Sequence, residues 1–289
     1  MLKKEDLTIL VVGATGRQGG AVARYLTGAG WKVRAMTRNA AGPKAMALGG
    51  LDVELVEADL EDRTSLAKAL EGIYGVFAAI TPYEKGVEAE SRQGKNLVEA
   101  AKLASVSHFV YSSVGGADRN TGIPHFESKW AIENHLRRSM VPYTILRHAS
   151  FMENFSNPYN KKSILSGRLE STLAPETRLQ MIAVDDIGGI AALAFGAPDQ
   201  WMSRAIEIAG DQKTMPEVAE LFSRSMGIQV NYVRTSLDAV PNPDLRAMQE
   251  WFRKGGYQAD IEELKKIRPE LMDLKEWLKR TGWDRAGQV

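Results

Sequence analysis

The sequence predicts an α/β fold, a doubly wound parallel sheet of Rossmann type followed by a smaller C-terminal α/β portion. Three observations predict it. Short β-branched runs alternate with longer helical patterns through the first half of the chain, the rhythm of βαβ units. A glycine-rich turn joins the first of these runs to the first helical stretch. Glycines also close several of the helical stretches, as helix C-termini prefer.

The first strand is LTILVV, residues 7–12. Lysines precede it, as in a signal peptide, but the apolar run is too short for a signal core and leads straight into the glycine turn. Further strands are expected at 32–37, 52–57, 73–79, 107–113 and 143–147. Between them RQGGAVARYLTGAG, PKAMALGG, DRTSLAKALEG and KGVEAESRQGKNLVEAAKLA have helical spacing, and Pro43 and Pro124 stand where helices start. After residue 155 the regularity breaks. NPYNKKSILSGRLESTLAPETRLQ reads as a loop or a small separate layer, and VDDIGGIAALAFGAP as an apolar helix that Asp185 or Asp186 would cap. RAIEIAG reads as a late strand, and PEVAELFSRSMG, DLRAMQEWFRKGGY and DLKEWLKRTGW as amphipathic helices. The expected organisation is a nucleotide domain over residues 1–155, with 183–200 returning to it, and a smaller portion formed by 156–182 and 201–289.

Composition narrows the function classes. With 44% hydrophobic and 25% charged residues the chain has the make-up of an ordinary soluble globular protein. A formal net charge of +1 gives no bulk attraction for nucleic acid or an anionic membrane, and no segment has the length of a membrane span. Cysteine is absent, which removes disulfides, thiolate catalysis and cysteine-ligated metal, and suits a reducing cytoplasm. The four histidines and the carboxylates show no metal-ligand spacing. The basic, amphipathic ELKKIRPELMDLKEWLKR balances its charges and reads as a solvated helix packed on the domain.

Gly13, Gly16 and Gly19 have G-x-x-G-x-x-G spacing between a strand and a helix. That chemistry needs a tight turn, a backbone that a pyrophosphate can approach, and helix N–H groups facing the anion. NAD-selective sites usually carry an acid at the end of the second strand, to accept from the adenosine ribose. Here the sequence is RAMTRNA, with Arg38 and no acid, and Arg17 stands in the glycine loop. A guanidinium matches a 2′-phosphate in fork geometry, so NADP(H) is the expected cofactor. Asp59 is a candidate for the adenine edge or a helix cap. Thr81 follows the fourth strand and Ser112 ends the fifth, at the carboxyl edge where open α/β sheets bind ligands.

Taken together, GATGRQGG, TRNAAGPKA, HFESK and RHASFMENF resemble the NmrA-like branch of the atypical short-chain dehydrogenase/reductases, and MQEWFRKGGY and DLKEWLKR extend the likeness over nearly the whole chain. It is nearest to the NADPH-binding redox sensors of that branch. The resemblance implies that Gly13, Thr15, Gly16, Arg17, Gln18 and Gly19 surround the pyrophosphate and that Arg38 meets the 2′-phosphate. It also implies that Lys129 lies near the nicotinamide ribose, with Phe151 to Asn154 beside the nicotinamide. Some members sense the redox state of the cofactor and bind a protein partner; others reduce quinones or other small acceptors.

Active short-chain dehydrogenases use Tyr-x-x-x-Lys, in which the lysine lowers the tyrosine pKa and the phenol exchanges the proton. Here Lys129 is present and His125 occupies the tyrosine position; Tyr111 and Tyr143 fall in strands and read as core. Three readings compete. Lys129 holds ribose hydroxyls while NADP(H) occupancy shapes a surface for a protein partner; or His125 or Lys129 supplies a proton while NADPH reduces a small quinone or carbonyl compound; or the pair only braces a helix. Holding without efficient turnover ranks ahead of reduction, and bracing comes last.

Overall fold

The computed structural model describes residues 4–283. Within them the chain forms two compact units, one running up to Arg147 and including Ile187–Ile206, the other comprising His148–Asp186 and the chain from Glu207 on.

In the first unit β1 (Thr8–Val12), α1 (Arg17–Gly28), β2 (Lys32–Thr37), α2 (Pro43–Met46), β3 (Val53–Glu57), α3 (Arg63–Ala69), β4 (Ile73–Ala78), α4 (Val87–Leu103), β5 (His108–Val114), α5 (Pro124–Ser139) and β6 (Tyr143–His148) alternate as the sequence predicts. A late strand, β10 (Arg204–Ile208), completes a seven-stranded sheet of order β10-β6-β5-β4-β1-β2-β3. β5, β4, β1, β2 and β3 pair in parallel. The order reverses between β1 and β4, so the loops after these two strands open at the switch point where doubly wound sheets take ligands. β1 can sit at the centre because Ile9, Leu10, Val11 and Val12 are all buried, one pair on each face. Pro43 and Pro124 do start helices, although α2 is a single turn.

His108 at the start of β5 is fully buried. Thr144 donates its hydroxyl proton to the Trp201 carbonyl, so the His108 ring donates from Nε2 to Thr144 Oγ1 at 2.8 Å. Nδ1 is then a bare acceptor without a partner among the described residues. Burial lowers the imidazole pKa from 6.5 to about 4. The unfolded chain therefore binds a proton that the folded chain refuses. This stabilisation is complete above pH 6.5 and is lost as pH falls from 6.5 towards 4, about 3 kcal/mol over the whole window. Urea midpoints measured from neutral pH down to pH 5 are expected to fall by the equivalent of about 2 kcal/mol, and His108→Gln to remove most of that slope.

The second unit opens with β7 (Ser150–Phe151) and continues through α6 (Pro158–Leu165), β8 (Arg168–Ser171), β9 (Arg178–Ile182) and α7 (Val184–Gly196), the last of which runs on into the first unit. After α8 (Pro198–Trp201) and β10 (Arg204–Ile208), the chain forms β11 (Asp211–Thr214), α9 (Met215–Met226), β12 (Asn231–Arg234), α10 (Pro243–Arg253), α11 (Ile261–Ile267) and α12 (Leu274–Arg280). One small sheet has the order β11-β9-β7, and β12 pairs with β8 in another. Of the two alternatives for the polar stretch after residue 155, the structure shows the small separate layer. Asn157 caps α6 through the Asn160 N–H, and β8 takes its partner from residues 231–234, a pairing that no local pattern signals.

Two expectations are corrected here. Asp186 is expected to cap α7, but the carboxylate that accepts the Val184 N–H is Glu153, with both oxygens at 3.1 Å. Asp186 is instead fully buried, accepting from Arg268 Nε at 3.0 Å and from the Met272 N–H at 2.9 Å. Burial raises its pKa against the pull of those two donors. The charged C-terminal segment is likewise two helices, α11 and α12, parted where Pro269 forces Arg268 out of helical geometry, and the Arg268 guanidinium pairs with Asp186. Among the described residues, no helix is long and apolar enough to cross a membrane.

Candidate functional site

The glycine loop is built by steric necessity. Gly13 has φ +78°, and a Cβ on it would stand 2.8 Å from the Ala79 carbonyl oxygen after β4. A Cβ on Gly19 would stand 2.2 Å from the Gly13 carbonyl oxygen, so helix and strand meet here without room for a side chain. Gly16 is the N-cap of α1. No side chain caps that end and no acid lies in its first turn, which leaves the positive end of the helix macrodipole to an anion. Thr15, Arg17 and Gln18 are presented by the same turn and the first turn of α1.

Gln18 is tied to the sheet, since its Oε1 accepts from Ser112 Oγ of β5 at 2.5 Å. The next residue, Ser113, donates to Glu133 Oε1 at 2.6 Å, and Glu133 in turn holds Arg147 by Nε at 3.0 Å and Nη2 at 2.7 Å. Arg147 also pairs with Asp118. This buried fork fixes the carboxyl end of β5 and the start of the chain beyond it.

Arg38, just past β2, donates from Nη2 to Glu84 Oε2 at 2.7 Å, and both side chains are more than half exposed. Asp59 accepts the Glu61 N–H at 2.9 Å, while α3 is capped by Asp62 rather than Asp59. Thr81 starts the turn after β4 and accepts the Tyr83 N–H.

On α5 the i,i+4 pair His125 and Lys129 is buried on one side of the helix. The His125 ring meets the Phe126 ring edge-on, centroids 4.7 Å apart. Lys129 Nζ donates to the Ile80 carbonyl at 3.0 Å and to Glu90 Oε1 at 2.8 Å. Glu90 is buried on α4 and also accepts from Ser128 Oγ. The helices come this close because Gly94 lies one turn beyond Glu90; a Cβ there would stand 2.5 Å from Ile132 Cδ1. Glu90 is the functional residue that sequence reasoning missed. The signal was present: Glu90, Gly94, Leu97, Val98 and Ala101 form the buried stripe of α4, an acid where an apolar residue belongs.

Tyr111 lies under this pair, with Lys129 Nζ 5.9 Å from its ring centroid. The phenol is fully buried and its hydroxyl has no partner among the described residues. Burial, aided by Glu90 and Glu133, raises its pKa well above 10. Tyr111→Phe is expected to keep cofactor binding and to change stability by no more than about 1 kcal/mol, in either direction, as measured by urea unfolding.

Phe151 and Asn154 belong to the second unit. Phe151 packs against His148, centroids 4.5 Å apart. Asn154 donates to Ser150 Oγ at 3.4 Å, and its carbonyl accepts from the amides of Asn157 and Asn160, both at 2.8 Å. Among the described residues, no three His, Asp or Glu side chains converge as metal ligands.

The NmrA-like family matches residues 5–278 of this chain. An NAD(P)H azoreductase of Xenophilus azovorans is 32% identical over 233 residues, covering 80% of this chain and 78% of that protein. The structure of Citrobacter sp. triphenylmethane reductase complexed with NADP(H) is similar with a TM-score of 0.82 at 26% identity, covering 95% of this chain and 99% of that one. NmrA, a negative transcriptional regulator in complex with NADP, shares the fold with a TM-score of 0.80 at 23% identity, covering 99% of this chain and 95% of that one.

Proposed function

We propose a function on one premise: the chain belongs to the NmrA-like family, which matches it from residue 5 to residue 278. It binds NADP(H), with the pyrophosphate at the uncapped N-terminus of α1 and the glycines that precede it, the 2′-phosphate at Arg38, and the nicotinamide ribose at Lys129. It acts chiefly as a sensor of the cofactor, with weak or no turnover, and relays occupancy to a protein partner. The absence of cysteine suits work in a reducing cytoplasm.

The observation that carries this reading is how Lys129 is held. An ammonium has three N–H donors, and here two go to Ile80 O and Glu90 Oε1. One is left for a ribose hydroxyl. Giving up a proton would leave the Glu90 carboxylate buried without its counter-ion, which is costly. The group is built to hold rather than to donate. Bound NADPH would supply hydride, and the phenol beside Lys129, that of Tyr111, is fully buried.

A sensor must bind its two ligand states unequally, since equal affinities shift no equilibrium. Titrations with NADPH and with NADP+ are expected to give dissociation constants at least about tenfold apart; equal values remove the basis for sensing. The second reading, reduction of a small quinone or carbonyl compound, is favoured by the likeness to an azoreductase and a triphenylmethane reductase. A quinone asks little of the protein, because water can protonate the reduced product.

A further inference from the structure

The second strand ends without the acid that NAD-selective sites carry, yet the fold returns one to the same place. Glu84 sits in the turn after β4, closed by the Gly86 N–H donating to the Pro82 carbonyl at 2.7 Å with Gly86 at φ +85°. That turn stands at the sheet's carboxyl edge and sets the carboxylate 2.7 Å from Arg38 Nη2. Glu57, at the end of β3, accepts the Ala40 N–H and so shapes the loop after β2, and Asp59 accepts the Glu61 N–H.

We propose that Glu84 is a specificity-determining residue, a built-in competitor for the guanidinium that receives the 2′-phosphate. The inference rests on the dinucleotide reading above. Both partners are more than half exposed, so their pair is weak and a doubly charged phosphate displaces it. The displaced carboxylate stays on a short turn beside the phosphate and repels it. When the ligand has a ribose hydroxyl in place of the phosphate, the same carboxylate is an acceptor of the kind NAD sites use. Glu84 therefore narrows the preference that Arg38 alone would impose, and the protein takes both dinucleotides.

The test is direct binding of NADPH and NADH to the wild type, Glu84→Gln, Arg38→Gln and the double variant. Neither side chain supports the core, so all four fold. Glu84→Gln is expected to tighten NADPH by about three- to tenfold and to leave NADH unchanged or weaker. In the Arg38→Gln background the same change is expected to gain less, because the shared target is gone. An unchanged NADPH-to-NADH ratio in Glu84→Gln, alongside a selective NADPH loss in Arg38→Gln, overturns the role of Glu84 alone. If Arg38→Gln weakens both dinucleotides equally, the placement of the 2′-phosphate at Arg38 falls, and the proposal falls with it.

Discussion

Replacing Glu90 with alanine is expected to destabilise the protein by about 3–5 kcal/mol, the cost of stripping one partner from a buried ion pair. Lys129 is 8% exposed and Glu90 is 1% exposed, so water does little to compensate the ammonium left behind. The Ile80 carbonyl remains as an acceptor but carries no charge. Ser128 loses one acceptor as well and keeps the His125 carbonyl at 3.2 Å. Removing both charges together, in Glu90→Ala with Lys129→Met, is expected to recover much of the loss, because two apolar groups can share the space. Urea unfolding of the two single variants and the double variant measures the coupling. A loss below about 1 kcal/mol in Glu90→Ala would mean that the pair is solvated and its hold on Lys129 slight.

A methyl group at Gly19 is the second large effect. It would lie 2.2 Å from the Gly13 carbonyl oxygen, a backbone atom that cannot rotate away. Relieving that contact must move the turn that presents the α1 N-terminus. The strain is of the order of 1–3 kcal/mol, and if it is expressed at the pyrophosphate site NADPH binding weakens by roughly ten- to a hundredfold. Gly16→Ala is the control. Its Cβ would meet the same oxygen at 3.2 Å, close enough to need only a small adjustment, so a smaller loss is expected. Equal losses in the two variants would show that the site responds to any added methyl group and not to the Gly13–Gly19 approach.

The Rossmann sheet was legible because its information is local. The strands of the first unit are short runs rich in β-branched residues, the helices between them carry glycine or proline at their ends, and the glycine spacing marks the turn that joins β1 to α1. What escaped was written across distance. β8 is a polar segment whose partner, β12, lies some sixty residues on, and Asp186 takes its partner from Arg268, some eighty residues on. The same holds within the candidate site. HFESK stood out as a pair, but the group that decides how its lysine behaves is an acid on the preceding helix. Helical periodicity placed Glu90 in the buried stripe, and reading that stripe for its one charged member would have found it. Glu84 had no such signal, because a turn residue declares its partner only when the sheet edge is folded.

The central claim is that Lys129 holds the cofactor and does not drive turnover. The most direct measurement follows NADPH oxidation by the wild type and Lys129→Ala against a panel of quinones, azo compounds, aldehydes and ketones, with NADPH binding measured on the same samples. NADPH binding is expected to weaken in Lys129→Ala, and any oxidation by the wild type is expected to be slow and to persist in Lys129→Ala at saturating NADPH. Saturable oxidation of one acceptor by the wild type, collapsing in Lys129→Ala while NADPH still binds, would contradict it and make the lysine the acid centre of a reductase.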